Sequence, residues 1–122
     1  MTSVRDFRDL KVWHRAIDFA VEIYRLTIAF PREERFGMTA QLRRAAVSVS
    51  SNIAEGSSRT TLKDRRNFYG MARSSLKEAE SLMLLSQGLD FIRKVDSDRA
   101  MALATETGRM LTKLRQNLRR RA

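Results

Sequence analysis

Residues 11–30 read KVWHRAIDFAVEIYRLTIAF, and this stretch decides the fold. Its apolar side chains recur at steps of four and three, which is typical of an amphipathic α-helix with a heptad-like seam. The seam consists of Val12, Ala16, Phe19, Ile23, Leu26 and Phe30. Pro31 interrupts the pattern. We therefore predict a first helix over residues 11–29, with Asp9 as its N-cap.

The same helical period continues through the rest of the chain, and Gly56 is expected to end the second helix as a residue that tolerates positive φ. Short connections between successive helices favour antiparallel neighbours. The predicted fold is all-α: one domain over residues 1–122, folded as an up-down-up-down antiparallel four-helix bundle. The three further helices are predicted over residues 39–55, 62–88 and 97–119.

Apolar residues on the third helix cover about half of its circumference, more than a bundle helix buries within one chain. They are Leu62, Phe68, Tyr69, Met71, Leu76, Ala79, Leu82, Met83 and Leu85. The excess would leave an exposed apolar patch unless a second subunit covers it. We therefore expect a homo-oligomer with closed symmetry, although the helical pattern does not count its subunits.

Composition excludes several classes of function. The 122 residues include 24 Lys and Arg against 14 Asp and Glu, no Cys and a single His. Thiolate metal sites, cysteine nucleophiles and clustered-histidine metal sites are therefore excluded, and no cofactor or metal is expected. No run of about 18 apolar residues predicts a membrane span, and no secretory signal is visible. We expect a cytoplasmic protein that makes no membrane contact.

The net charge of +10 is concentrated near the end of the chain. Residues 91–122 hold nine basic and three acidic residues, and no acid follows Glu106. On a helix, Arg109, Lys113 and Arg120 fall within about 40° of one another, opposite the apolar stripe. The planar guanidinium group suits phosphate, so the residues predicted to bind nucleic acid here are Arg109, Lys113, Arg115, Arg119 and Arg120. The alternative is a solvated basic helix end favoured by the helix dipole.

A second basic row lies on the third helix. It comprises Lys63, Arg66, Arg73 and Lys77, and it is bordered by the acidic Glu80. Taken alone, this row is better explained as a solvated face. It joins the predicted nucleic-acid surface only if folding brings it beside Arg59 or beside the basic row of the fourth helix.

The second helix carries a polar stripe beside its apolar face: Gln41, Arg44, Ser48, Asn52 and Glu55. Small neighbouring residues permit close helix approach, so the stripe predicts a structural network or a subunit contact. A solvated face is the alternative. A catalytic role for Glu55 lacks a second carboxylate, a metal cluster or a nucleophile–base pair, so we expect no enzyme.

Three stretches together resemble a known family: FRDLKVWHRA (residues 7–16), FPREERFGMTAQLRRAAVSVSSNIAEG (30–56) and FYGMARSSLKEAES (68–81). The sequence is similar to the four-helix bundle family that includes the bacterial 23S rRNA intervening-sequence proteins. It is also similar to the accessory variability determinant of diversity-generating retroelements. This resemblance implies a barrel-shaped homopentamer and, through the retroelement relative, nucleic-acid binding and association with a reverse transcriptase.

Two hypotheses about function follow. The first is a non-enzymatic, oligomeric bundle that binds RNA or DNA electrostatically with little sequence specificity, as an accessory to a nucleic-acid-processing partner. The second is a protein-interaction scaffold that docks a partner such as a reverse transcriptase and has no independent nucleic-acid role.

Overall fold

The structure, a computed structural model, describes residues 6–121. Four helices follow one another along the chain: α1 (Lys11–Thr27), α2 (Met38–Ser57), α3 (Leu62–Gly88) and α4 (Lys94–Arg121). Single turns of 3-10 helix at Phe7–Asp9 and Arg32–Glu34 precede α1 and α2. Residues 6–121 contain no strand, so the prediction of an all-α, four-helix fold is confirmed.

Each helix packs against two others in a ring of four, in which α1 and α3 contact both α2 and α4. As the chain advances along one helix, its contacts move back along the neighbouring helix, so α3 runs antiparallel to both α2 and α4. Representative pairs are Ser48–Ser75 and Gly56–Tyr69 between α2 and α3, Leu76–Gly108 and Gln87–Ser97 between α3 and α4, and Arg15–Glu106 between α1 and α4.

The seam predicted on α1 lies in the core: its residues are buried except Leu26, which is partly buried. The largest fully buried apolar side chains come from all four helices: Phe19, Ile23, Leu42, Val49, Ile53, Leu76, Met83 and Leu111. The buried hydroxyl groups of Thr27 and Thr107 donate hydrogen bonds to carbonyl oxygens one turn earlier, at 2.8 and 2.7 Å. These polar groups therefore enter the core without losing a hydrogen bond.

Several helix ends differ from the predicted positions: α1 ends at Thr27 rather than at residue 29, α2 spans Met38–Ser57 rather than 39–55, and α4 ends at Arg121 rather than at residue 119. The N-cap of α1 is Leu10, not Asp9, because a separate turn begins earlier, where Asp6 accepts a hydrogen bond from the Arg8 amide at 2.8 Å. The helix α4 begins at Lys94, three residues before the predicted start. Ser97 is buried inside it and donates to the Lys94 carbonyl at 2.8 Å.

Gly56 lies inside α2, and its φ is not positive, so the expected role as a helix terminator is wrong. The residue allows close packing instead: a Cβ atom there would lie 2.8 Å from Tyr69 Cε1. The left-handed position is Asp90, with a φ of 61°, directly after α3. There the Phe91 amide donates to the Ser86 carbonyl at 2.9 Å, which turns the chain toward α4.

Candidate nucleic-acid interface

The basic row on α4 faces away from the core. Arg109, Lys113 and Arg120 are exposed, whereas Leu111 and Leu118 on the opposite side of the helix are buried. This arrangement follows from the helical period, which separates positions 109, 113 and 120 from the apolar stripe. Arg119 is also exposed, but it does not line the groove described next.

A groove with a volume of about 520 Å³ runs between α3 and α4 and collects cations from both helices. One wall carries the α4 row, and the other carries Arg73 and Lys77 of α3. The α3 cations lie opposite the α4 row because Leu76 contacts Gly108 where the two helices cross. Folding therefore brings half of the basic row of α3 beside the basic row of α4.

Carboxylates neutralise little of this charge. Lys77 lies 3.1 Å from Glu80, whose side chain is largely buried at the edge of the groove. The groove holds four other cationic side chains: Arg73, Arg109, Lys113 and Arg120. Among the side chains that the structure describes, no carboxylate oxygen lies within 4.0 Å of a nitrogen atom in the charged groups of these four residues. The groove therefore holds several positive charges at close range without matching negative charge.

Arg115 points toward α3 rather than outward with the row. Its guanidinium group covers Gly70, where a Cβ atom would lie 3.3 Å from Arg115 Nη2. Its Nε atom donates to the Arg66 carbonyl at 3.3 Å. A second concavity of about 590 Å³ extends from this point and shares Arg73 and Lys77 with the groove. Arg115 therefore adds charge beside the groove while also joining the two helices.

The other predicted cations lie near the turn between α2 and α3, and they do not line the groove. The Arg59 guanidinium stacks on the Phe68 ring, 4.5 Å from its centroid, and Nη2 lies 3.3 Å from Glu55 Oε2. Lys63 is exposed, and Arg66 is half-buried. Of the four residues in the predicted basic row of α3, folding therefore brings Arg73 and Lys77 into the groove and leaves Lys63 and Arg66 outside it.

The polar stripe of α2 divides into two parts. Ser48 forms a 2.9 Å hydrogen bond with Ser75 of α3, and Asn52 Nδ2 donates to the Ser48 hydroxyl and carbonyl, each at 2.9 Å. These residues form a network between two helices of the same chain. Gln41 and Arg44 are exposed, as is Glu55, which pairs with the neighbouring guanidinium described above.

An exposed apolar face between α1 and α2 was not anticipated from the sequence. Tyr24 and Val47 are 44% and 41% exposed, and Ile28 reaches 78%. They line concavities of about 800 and 420 Å³, over which the Arg43 guanidinium stacks on the Tyr24 ring at 4.5 Å. The sequence feature that could have predicted this face is the apolar character of residues 21, 24 and 28. Their helical spacing extends the apolar arc of α1 beyond the buried seam.

Three further observations concern metal binding, the single histidine and membrane-spanning helices. No cluster of three or more His, Asp or Glu side chains that could hold a metal ion occurs within residues 6–121. The imidazole Nε2 of His14 makes a 2.7 Å hydrogen bond with the Arg8 carbonyl. In the part of the chain described, no helix combines the length and apolarity needed to cross a bilayer.

The fold and the groove define a class of protein, a four-helix bundle with a cationic groove between its last two helices. The chain belongs to the 23S rRNA-intervening sequence protein family, whose sequence profile matches residues 8–113. This confirms the family that the three sequence stretches resembled. The profile extends well into α4, although the stretches on which the resemblance was based end at residue 81.

A solved structure supports the fold. It is the crystal structure of a protein with unknown function from the S23 ribosomal protein family of Bacteroides thetaiotaomicron. The TM-score is 0.76 at 23% sequence identity, over 84% of this chain and 96% of that chain. At this identity the similarity concerns the fold alone. No significant match was found among curated proteins.

Proposed function

We propose that the protein is a non-enzymatic, basic, oligomeric helical bundle that binds nucleic acid, RNA or DNA, electrostatically and with little sequence specificity. It would act as an accessory to a nucleic-acid-processing partner. The observation that carries this proposal is the groove, into which two helices direct five cations that meet a single carboxylate among the side chains the structure describes.

The chemistry of the groove suits phosphates rather than bases. Guanidinium groups donate paired hydrogen bonds to phosphate oxygens, and ammonium groups act as point charges. Among the residues that the structure describes, no aromatic side chain lines the groove, so it offers no surface on which bases could stack. Binding would release counterions from the nucleic acid, and the affinity would fall steeply with salt.

The direct test measures affinity for a fluorescently labelled duplex by anisotropy as the salt concentration rises. The four groove cations that have no carboxylate partner among the described side chains predict a log–log slope of about −4, since each neutralised phosphate contributes about −0.9. The double variant R109Q/K113Q should bind more weakly and should reduce the steepness of that slope by about 2.

The matched control is K11Q/R32Q, which removes the same net charge from exposed positions outside the groove. It should retain most of the affinity and the slope. The proposal is wrong if micromolar protein does not bind at about 50 mM salt, conditions in which phosphate contacts are strong. It is also wrong if the control loses as much affinity as the groove variant.

Self-association is part of the proposal, with a ring-like pentamer as the state that the family resemblance implies. Apolar exposure supports it: Phe36 is 83% exposed beside the apolar face of α1 and α2, and Met71 and Leu85 of α3 are 45% and 50% exposed. Exposed apolar surface of this kind favours burial against another subunit. Light scattering should give about five times the chain mass of 14.1 kDa. A monomer at tens of micromolar would refute the assembly.

The second candidate function is a scaffold that docks a partner enzyme such as a reverse transcriptase. The apolar concavity between α1 and α2 favours it, because Arg35, Arg43 and Arg44 line it together with Tyr24 and Val47. Such a mixture of apolar, aromatic and arginine side chains is typical of protein interfaces. For a scaffold that docks through this concavity, charge reversal at Arg35 and Arg44 would abolish capture of the partner, whereas charge reversal in the α4 row would not.

A further inference from the structure

Neutral hydrogen-bonding side chains lie among the cations of the groove. Gln116 and Asn117 are exposed and line it together with Lys113 and Arg120. Positions 109, 113, 116 and 120 follow steps of four, three and four, so an amide occupies the middle of the α4 row. Within residues 6–120, neither amide forms a hydrogen bond with another group of the chain. Phosphate attraction alone does not explain why uncharged amides stand there.

We propose that the groove binds the sugar–phosphate ridge of double-helical RNA, with its cations on the phosphates and the amides of Gln116 and Asn117 on ribose 2′-hydroxyl groups. This inference rests on the proposed function and adds the type of nucleic acid. A side-chain amide both donates and accepts hydrogen bonds, as a 2′-hydroxyl does. The 2′-hydroxyl is the group by which a protein distinguishes RNA from DNA.

The shape and lining of the groove favour a duplex over a single strand. From Arg109 to Arg120 the α4 row extends about 16 Å, at about 1.5 Å per residue. Phosphates follow one another at regular spacing along each strand of a duplex, so a row of this length can contact several successive phosphates. A duplex holds these phosphates in order before binding. A single strand would lose conformational freedom, and a groove without aromatic side chains has no base stacking to compensate for that loss.

The experiment compares four labelled probes of one sequence at one salt concentration: duplex RNA, duplex DNA, single-stranded RNA, and duplex RNA carrying 2′-O-methyl groups. Each net hydrogen bond corresponds to about a fivefold change in affinity. Two amide contacts therefore predict that duplex RNA binds about 10 to 25 times more tightly than duplex DNA. The methylated duplex should lose this advantage, and single-stranded RNA should bind more weakly than duplex RNA.

The variant Q116A/N117A separates the amides from the cations. Both positions are exposed, and alanine favours helix, so the fold should be retained. Its affinity for duplex RNA should fall to the level of duplex DNA, while its affinity for duplex DNA and its salt dependence stay unchanged. The control Ser51→Ala, at an exposed polar position of α2 outside the groove, should preserve the preference for RNA.

The inference is overturned if the two duplexes bind equally, if single-stranded RNA binds more tightly than duplex RNA, or if the methylated duplex keeps full affinity. It also fails if the double variant weakens both duplexes alike. Each of these results leaves electrostatic nucleic-acid binding in place. If none of the probes binds at low salt, both the inference and the proposed function are refuted.

Discussion

Replacing Gly56 with alanine tests how closely α2 and α3 pack. The added Cβ atom would lie 2.8 Å from Tyr69 Cε1 and 3.0 Å from Phe68 Cβ, distances well inside van der Waals contact. The Tyr69 ring is 4% exposed and has little room to turn, and the Phe68 Cβ atom is attached directly to the backbone of α3. The two helices would therefore have to separate locally.

The expected change in the free energy of unfolding combines two opposing contributions. Overpacking a tight contact destabilises a protein by about 1–3 kcal/mol. Replacing glycine with alanine inside a helix gains about 1 kcal/mol. We expect Gly56→Ala to lower the free energy of unfolding by up to about 2 kcal/mol, as the balance of these contributions.

Gly108 of α4 provides the matched control, because a Cβ atom there would lie 3.5 Å from Leu76 Cδ2, an ordinary contact. Gly108→Ala should raise the free energy of unfolding by up to about 1 kcal/mol. Urea unfolding followed by circular dichroism, at one fixed protein concentration, measures both variants. If Gly56→Ala stabilises the protein as much as Gly108→Ala does, the close packing of α2 against α3 is refuted.

Three further predictions concern local contacts. Removing the Ser75 hydroxyl with Ser75→Ala should lower the free energy of unfolding by about 1 kcal/mol, because Ser48 loses its partner across the two helices; an unchanged urea midpoint would count against this. Thr61→Ala should cost a similar amount, about 1 kcal/mol, since the Thr61 hydroxyl accepts the amide hydrogen bond at the start of α3; a stability equal to that of the wild type would contradict the cap. The Arg8 side chain and amide donate hydrogen bonds that lower the pKa of Asp6 from 3.8 to about 2. The contribution of this pair to the N-terminal turn is therefore complete above pH 3.8 and is lost as the pH falls through about 2; an NMR titration of the carboxyl group in the wild type and in Arg8→Gln would check it, and identical midpoints would refute it.

The helices themselves were predictable because helix formation depends on a period that is local in sequence. The seam from Val12 to Phe30 lies in the core as predicted, and α3 spans Leu62–Gly88. The ends were less predictable, because they depend on contacts that the period does not contain. Ser97, at the predicted start of the fourth helix, is buried inside α4, where Gln87 of α3 donates to its hydroxyl at 2.7 Å, a contact that exists only after the two helices pack.

In the candidate site, too, some features were predictable from local sequence and others depend on how the helices pack. The α4 row was predictable as one exposed face, because neighbouring positions on a helix share a face whatever the helix packs against. The sequence did not show whether Arg73 and Lys77 of α3 would lie beside this row, because that depends on how α3 packs against α4. Arg115 was predicted to bind nucleic acid without belonging to that aligned row, and its guanidinium group covers Gly70, since the α3–α4 contact leaves space for it there.

The amino-acid sequence by itself determined four amphipathic helices, an excess of positive charge toward the end of the chain, and the side of α4 on which three of those charges stand. All three follow from local spacing and composition. Only the tertiary structure decided that α3 supplies the second wall of a cationic groove, that Gly56 serves close packing, and that an apolar face on α1 and α2 stays exposed. These features depend on which helices become neighbours and at what offset, and no single helix specifies its offset from another.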